Sequence, residues 1–173
     1  MTQVFDDCFS IIIKDEGGFT NSPKDSGNWT SGIVGVGEIR GTKYGISAAS
    51  FPTLDIANLT LDQAKQIYYD NYWVPVNCDN MPSSIALMLF DFHVNAGSHA
   101  VKILQECLGV TADGEVGSGT MAALEQTDIS SLIDTYTDAR KAYYKTLSAY
   151  SLYGDGWDNR SDYIASVAHS WVS

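Results

Sequence analysis

Cations are scarce in this chain. Lys and Arg number 10 against 21 Asp and Glu, giving a net charge of −11 over 173 residues. Nucleic-acid binding draws on basic patches that neutralise phosphates, so no nucleic-acid partner is expected. An anionic membrane surface is set aside for the same reason. Cysteine is also sparse: Cys8, Cys78 and Cys107, with no CxxC pair. That spacing excludes a zinc ribbon or a thioredoxin-type site. Free thiols are the plain reading, and one disulfide with one thiol left over stays open for an oxidising compartment. His93, His99 and His169 do not share a helix face with carboxylates in a ligand pattern, so neither metal nor cofactor is expected. The longest apolar run, Ile85 to Phe90, is too short to span a bilayer, and no membrane insertion is expected. The opening residues, Met1 to Asp7, lack a basic stretch before an apolar one and do not read as a signal peptide.

What is present supports a packed core. Apolar residues make up 45 % of the chain and charged residues only 18 %, which excludes a disordered polyelectrolyte. The length suits one ordinary domain or two small lobes. Phe5, Cys8, Phe9, Ile12 and Ile13 repeat at helical spacing, and Gly17-Gly18 is expected to stop that helix just after Glu16. From Thr20 to Gly45 the chain is rich in Gly, Ser, Asn and Thr; the short β-prone piece Ile33 to Val36 suggests a small hairpin there. Thr60-Leu61-Asp62-Gln63 has capping-box form and predicts a helix to about Tyr72, ended by Pro75. Ile85 to Phe90 is apolar all round and predicts a central buried helix. Further helices are expected over residues 100–108 and from Thr120. A long one carries Leu132 to Leu147 and is broken at Gly154 and Gly156, and a last helical face runs from Tyr163 to Trp171. The expected class is mainly α with one small β-hairpin region after the first helix.

The residue with the most suggestive chemistry is Glu16. Glycoside hydrolysis needs a carboxylic acid still protonated near neutral pH, able to donate to the departing oxygen. The carbonyl end of a helix disfavours a nearby negative charge, and burial against Phe19 would raise the pKa further. Asp25, nine residues on, is placed to face it across a cleft, and the Thr42 hydroxyl to hold a water. From spacing alone, the first reading of Glu16 is a solvated helix end and that of Asp25-Ser26-Gly27 a simple turn. Aromatic residues are numerous; Trp29, Tyr44, Tyr72, Trp73 and Trp157 are candidates to stack on sugar rings. Asp91, His93 and Asn95 either reach a glycan cleft or pair inside the fold.

The ordered series narrows this. Glu16-Gly17-Gly18-Phe19-Thr20-Asn21-Ser22-Pro23-Lys24-Asp25-Ser26-Gly27, followed by Thr42-Lys43-Tyr44-Gly45-Ile46-Ser47, resembles glycoside hydrolase family 108. Its members are N-acetylmuramidases found as phage endolysins and as muramidases linked to protein secretion. Asp91-Phe92-His93-Val94-Asn95-Ala96-Gly97, Leu104-Gln105, Asp113-Gly114-Glu115-Val116-Gly117 and Gly156-Trp157-Asp158-Asn159-Arg160 resemble the peptidoglycan-binding module that follows the catalytic part. The resemblance implies a lysozyme-like fold, with a catalytic lobe over residues 1–92 and a helical binding lobe over residues 93–173. It implies Glu16 as the catalytic acid and Asn95 and Gln105 touching substrate; Asp25 and Thr42 beside Glu16 follow by analogy with other lysozyme-like enzymes, and Tyr44, Trp29 and Trp73 are the aromatic residues expected on the glycan. The fourteen residues from Asn28 to Gly41 are an insertion relative to the shortest family form, and they leave Thr30 or Ser31 as alternatives to Thr42. The implied partner is the glycan strand of peptidoglycan, met by a monomer made in the cytoplasm and acting in the periplasm on the cell wall. The rival reading is a non-catalytic peptidoglycan-binding module.

Overall fold

The computed structural model describes residues 1–13 and 18–172. Among these residues the chain forms seven helices and one two-stranded sheet. It divides into two compact units, residues 1–71 and 72–173.

In the first unit, α1 (Gln3–Ile13) buries Phe5, Cys8, Phe9 and Ile12, the face its 3.6-residue period dictates. The expected stop at Gly17 lies outside the described residues. That face meets α2 (Leu61–Tyr68): the Phe5 and Tyr69 rings lie 4.9 Å apart edge to face, and Phe9 and Tyr68 5.6 Å. Lys65 pairs with Asp6 across the two helices at 2.8 Å. The capping box is complete, with Gln63 N–H donating to Thr60 Oγ1 and Thr60 N–H to Gln63 Oε1.

Between these helices the hairpin is not where β propensity put it. Ile33, Val34 and Val36 are half or more exposed at the tip of a loop, with no strand. Hydrogen bonds at its base shape that loop: Asn28 O accepts from Arg40 N–H and Gly41 N–H, and Thr30 N–H donates to Glu38 O. The strands are instead β1 (Thr42–Lys43) and β2 (Ile46–Ser47), antiparallel, with Thr42 opposite Ser47. Tyr44 (φ 52°) and Gly45 (φ 73°) form the two-residue turn. Such tight hairpins require positive φ at both turn positions, which outweighs the β preference of Ile33 to Val36. Tyr68 Oη donates to Tyr44 O at 3.0 Å and fixes the turn to α2.

The chain enters the second unit within a π-helical turn, Tyr69–Trp73. There α3 (Ser83–Ala96) is buried on every side from Ser84 to Phe92, as an all-apolar helix must be. Each fully buried Leu or Phe contributes roughly 1.5–3 kcal/mol. Around it pack α4 (Ser98–Cys107), α6 (Ile129–Lys145) and α7 (Tyr150–Ser170); the short α5 (Ser118–Glu125) lies between α4 and α6 in the sequence. Gly154 and Gly156 do not break α7, which runs through both. Glycine weakens a helix by roughly 1 kcal/mol, and the packing of Ile164, Ala165 and Ala168 outweighs that here. The three cysteines are free, and burial pushes the Cys8 thiol up to about 12.

Candidate active site

Glu16 lies outside the described residues; the groups expected beside it do not. Asp25 caps a single 3-10 turn, Ser26–Asn28, its Oδ1 accepting from Gly27 N–H at 2.9 Å. That bond fixes the carboxylate on an exposed loop. The loop is itself braced. Buried Asn28 donates to Ser22 O, and Trp29 Nε1 donates to Pro23 O at 3.0 Å.

Thr42 arrives from the other side. Its backbone exchanges two hydrogen bonds with Thr20, at 2.8 and 2.9 Å, and β pairing sets it opposite Ser47. Gly27 lies where these pieces meet. A Cβ on Gly27 would stand 3.3 Å from Asp25 Oδ1, 3.8 Å from Ser47 Cβ and 3.9 Å from Thr42 Oγ1. A carboxylate oxygen and a hydroxyl oxygen thus lie within 4 Å of one point beside the Gly27 backbone. A hydroxyl and a carboxylate turned to a shared small space can orient a water between them.

Ser47 was not among the residues singled out from sequence. The signal for it was the Tyr44-Gly45 pair: a two-residue turn sets residue 47 opposite residue 42. Thr30 is used elsewhere, its Oγ1 accepting from Glu38 N–H, and Ser31 Oγ donates to Val36 O; both brace the inserted loop. Tyr44 is half-buried, its ring under Lys43 Nζ at 5.4 Å, and a bulky residue at φ 52° is a strained placement of the kind that clusters at functional sites.

In the second unit several expected substrate contacts turn out to be structural. Trp73 is fully buried, donates Nε1 to Asp79 Oδ1 at 2.7 Å and stands edge-on to Phe90. No sugar ring can stack on a face already enclosed, so Trp73 is core. Gln105 is 1 % exposed, and its amide is spent on the protein. Nε2 donates to Asp113 Oδ1, Glu115 O and Thr120 Oγ1, while Oε1 accepts from Gly114 N–H. The expectation of substrate contact by Gln105 is corrected accordingly: it knots the 113–120 loop, and the Glu115 N–H and Gln105 bonds hold the Asp113 carboxyl below its usual range. Asn95 is exposed and returns Nδ2 to Asp91 O one helical turn back.

Asp91 pairs inside the fold. Arg140 Nη2 meets Asp91 Oδ2 at 2.7 Å, and Arg160 meets Oδ1 through Nε and Nη2 at 3.0 and 2.7 Å. One carboxylate thereby joins α3, α6 and α7. His93 accepts no role in that network; its Nδ1 lies 3.1 Å from Tyr72 O, and burial holds its pKa below the ordinary value.

Residues 9–97 match the family described as Glycosyl hydrolase 108, and residues 99–164 match the one described as Predicted Peptidoglycan domain. Among curated proteins no relative matches the chain. Among solved structures, that of Brucella abortus SagA is similar at 31 % identity and a TM-score of 0.83, over 96 % of this chain and 94 % of that one. The fold and both segment matches agree: this chain belongs to the glycosyl hydrolase 108 family, a glycosidase of lysozyme-like fold joined to a peptidoglycan-binding segment, with peptidoglycan as its substrate.

Proposed function

We propose that the chain is an N-acetylmuramidase that hydrolyses the β-1,4 bond between N-acetylmuramic acid and N-acetylglucosamine. Glu16 is its general acid, protonating the leaving oxygen. A water seated over Gly27, polarised by Asp25 and oriented by Thr42, attacks the anomeric carbon. The observation that carries this reading is the convergence of Asp25 Oδ1 and Thr42 Oγ1 on the empty point at Gly27. A water placed between them, rather than a carboxylate in direct contact with the sugar, makes the reaction inverting. Tyr44, held beside Thr42 by the hairpin turn, and Trp29 at the foot of the inserted loop are the aromatic contacts for the glycan in the first unit.

The enzyme acts on the cell wall in the periplasm after synthesis in the cytoplasm. Two settings share this chemistry: a phage-type endolysin, and a muramidase that opens the wall for release of a protein toxin. The net charge of −11 favours the second. An acidic protein is not drawn broadly onto an anionic wall, so its action stays local.

Mass spectrometry of digested, purified peptidoglycan tests the bond, and proton NMR of the first product tests the anomer. Reducing muramic acid ends with inverted configuration are expected. Glu16→Gln should retain the wild-type melting temperature and lose at least about 100-fold in rate. Normal turnover by that variant would remove Glu16 from the mechanism; peptidoglycan binding without cleavage by the wild type would leave only a binding module.

A further inference from the structure

Helix α7 holds two interior glycines with different surroundings. A Cβ on Gly154 would stand 2.7 Å from the Tyr150 ring, so packing explains that glycine. A Cβ on Gly156 would meet nothing within 4 Å. No neighbour requires Gly156, and the space over its backbone is open.

Helical spacing sets four side chains around that opening: Leu152 and Tyr153 on one side, Asn159 and Arg160 on the other. Leu152 is 78 % and Tyr153 60 % exposed, a large apolar surface held in water. The surface is braced. The Tyr153 ring lies 6.0 Å from Trp157, and Trp157 lies 5.0 Å from Tyr144, each pair tilted by about 35°. Arg160 is tied to Asp91, which it shares with Arg140, so its guanidinium is held toward the fold. From Ser151 to Asn159 there is no cation, and the two charges are Asp155 and Asp158; Asp158 already accepts from Tyr150 Oη at 2.7 Å.

We propose that the saddle over Gly156 is a glycan subsite for an N-acetylglucosamine ring, deepening the peptidoglycan reading on which it rests. An aromatic face takes the apolar C–H face of a pyranose. The bare glycine lets that ring approach the backbone. The Asn159 amide, one turn from Gly156, matches an acetamido group. The sugar ring, with its apolar face and acetamido group, is the part of the polymer that an aromatic face and an amide complement.

The test uses the full chain with Glu16→Gln to halt turnover, and chitotetraose as the probe. Amide NMR shifts are expected at residues 152–160. Gly156→Ala should raise the melting temperature by a few degrees, since Ala is the better helix residue and meets no obstacle, roughly the effect expected for such a change. The same variant should weaken chitotetraose at the saddle about tenfold. Opposite signs in stability and binding are what a purely structural glycine cannot produce. Tyr153→Ala should weaken binding similarly with little change in melting. Unchanged affinity in both variants, shifts confined to residues 18–60, or a dimer abolished by Tyr153→Ala would each overturn the subsite. If the wild type fails to cleave glycan at all, the muramidase reading falls first; cleavage with an indifferent saddle sinks the subsite alone.

Discussion

Replacing Gly27 by alanine tests the water seat directly. The new methyl carbon would stand 3.3 Å from Asp25 Oδ1 and 3.9 Å from Thr42 Oγ1. The first distance is a few tenths of an ångström shorter than a relaxed carbon–oxygen contact, so the carboxylate has to turn away. The methyl also occupies the point where the attacking water sits. Gly27 has no positive φ, so alanine fits its backbone; turning the carboxylate weakens its cap on Gly27 N–H, which limits the loss of stability to about 0.5–2 kcal/mol. Misplacing a catalytic group by about 1 Å costs on the order of 100-fold, about 2.7 kcal/mol of barrier. The expected result is a kcat lowered by about 100-fold or more, with KM changed little. The assay is reducing-end release from purified peptidoglycan, alongside thermal unfolding. Wild-type kcat in a well-folded Gly27→Ala protein would refute the water seat, and with it the roles given to Asp25 and Thr42.

Two further outcomes concern the second unit. Asp91→Ala leaves Arg140 buried without its carboxylate and should cost about 3–5 kcal/mol, read as a lowered urea midpoint; a loss under 1 kcal/mol would show that α3, α6 and α7 do not depend on this pair. His93 has a pKa lowered by burial in the folded state, so the unfolded chain takes up the proton first. Its contribution to stability is therefore full above the unfolded value near 6.5 and declines as pH falls through that value toward the folded one. His93→Gln should flatten this acid limb of the stability curve, and an unaltered limb would assign it to other groups.

The period of the apolar residues determined the helices. Phe5, Cys8, Phe9 and Ile12 form one face of α1, and residues 85–90 form a helix enclosed all round, because a 3.6-residue repeat leaves those side chains no other common burial. The capping box at Thr60 and Gln63 was equally local, needing only four consecutive residues. The motif series likewise carried the family, because it is written in residue order. Contacts between distant segments were not written there. Ile33 to Val36 has β propensity but no partner strand, whereas Tyr44-Gly45 could close a hairpin because α2 offers Tyr68 to hold the turn. Gln105 and Trp73 read as binding residues, yet the 113–120 loop and Phe90 enclose them. Gly156 resembled a helix breaker until the rest of α7 packed. The meeting of Asp25, Thr42 and Ser47 at Gly27 joins residues up to 22 positions apart. Only the folded backbone, by bringing the 3-10 turn against the hairpin, decided that they would share one empty point.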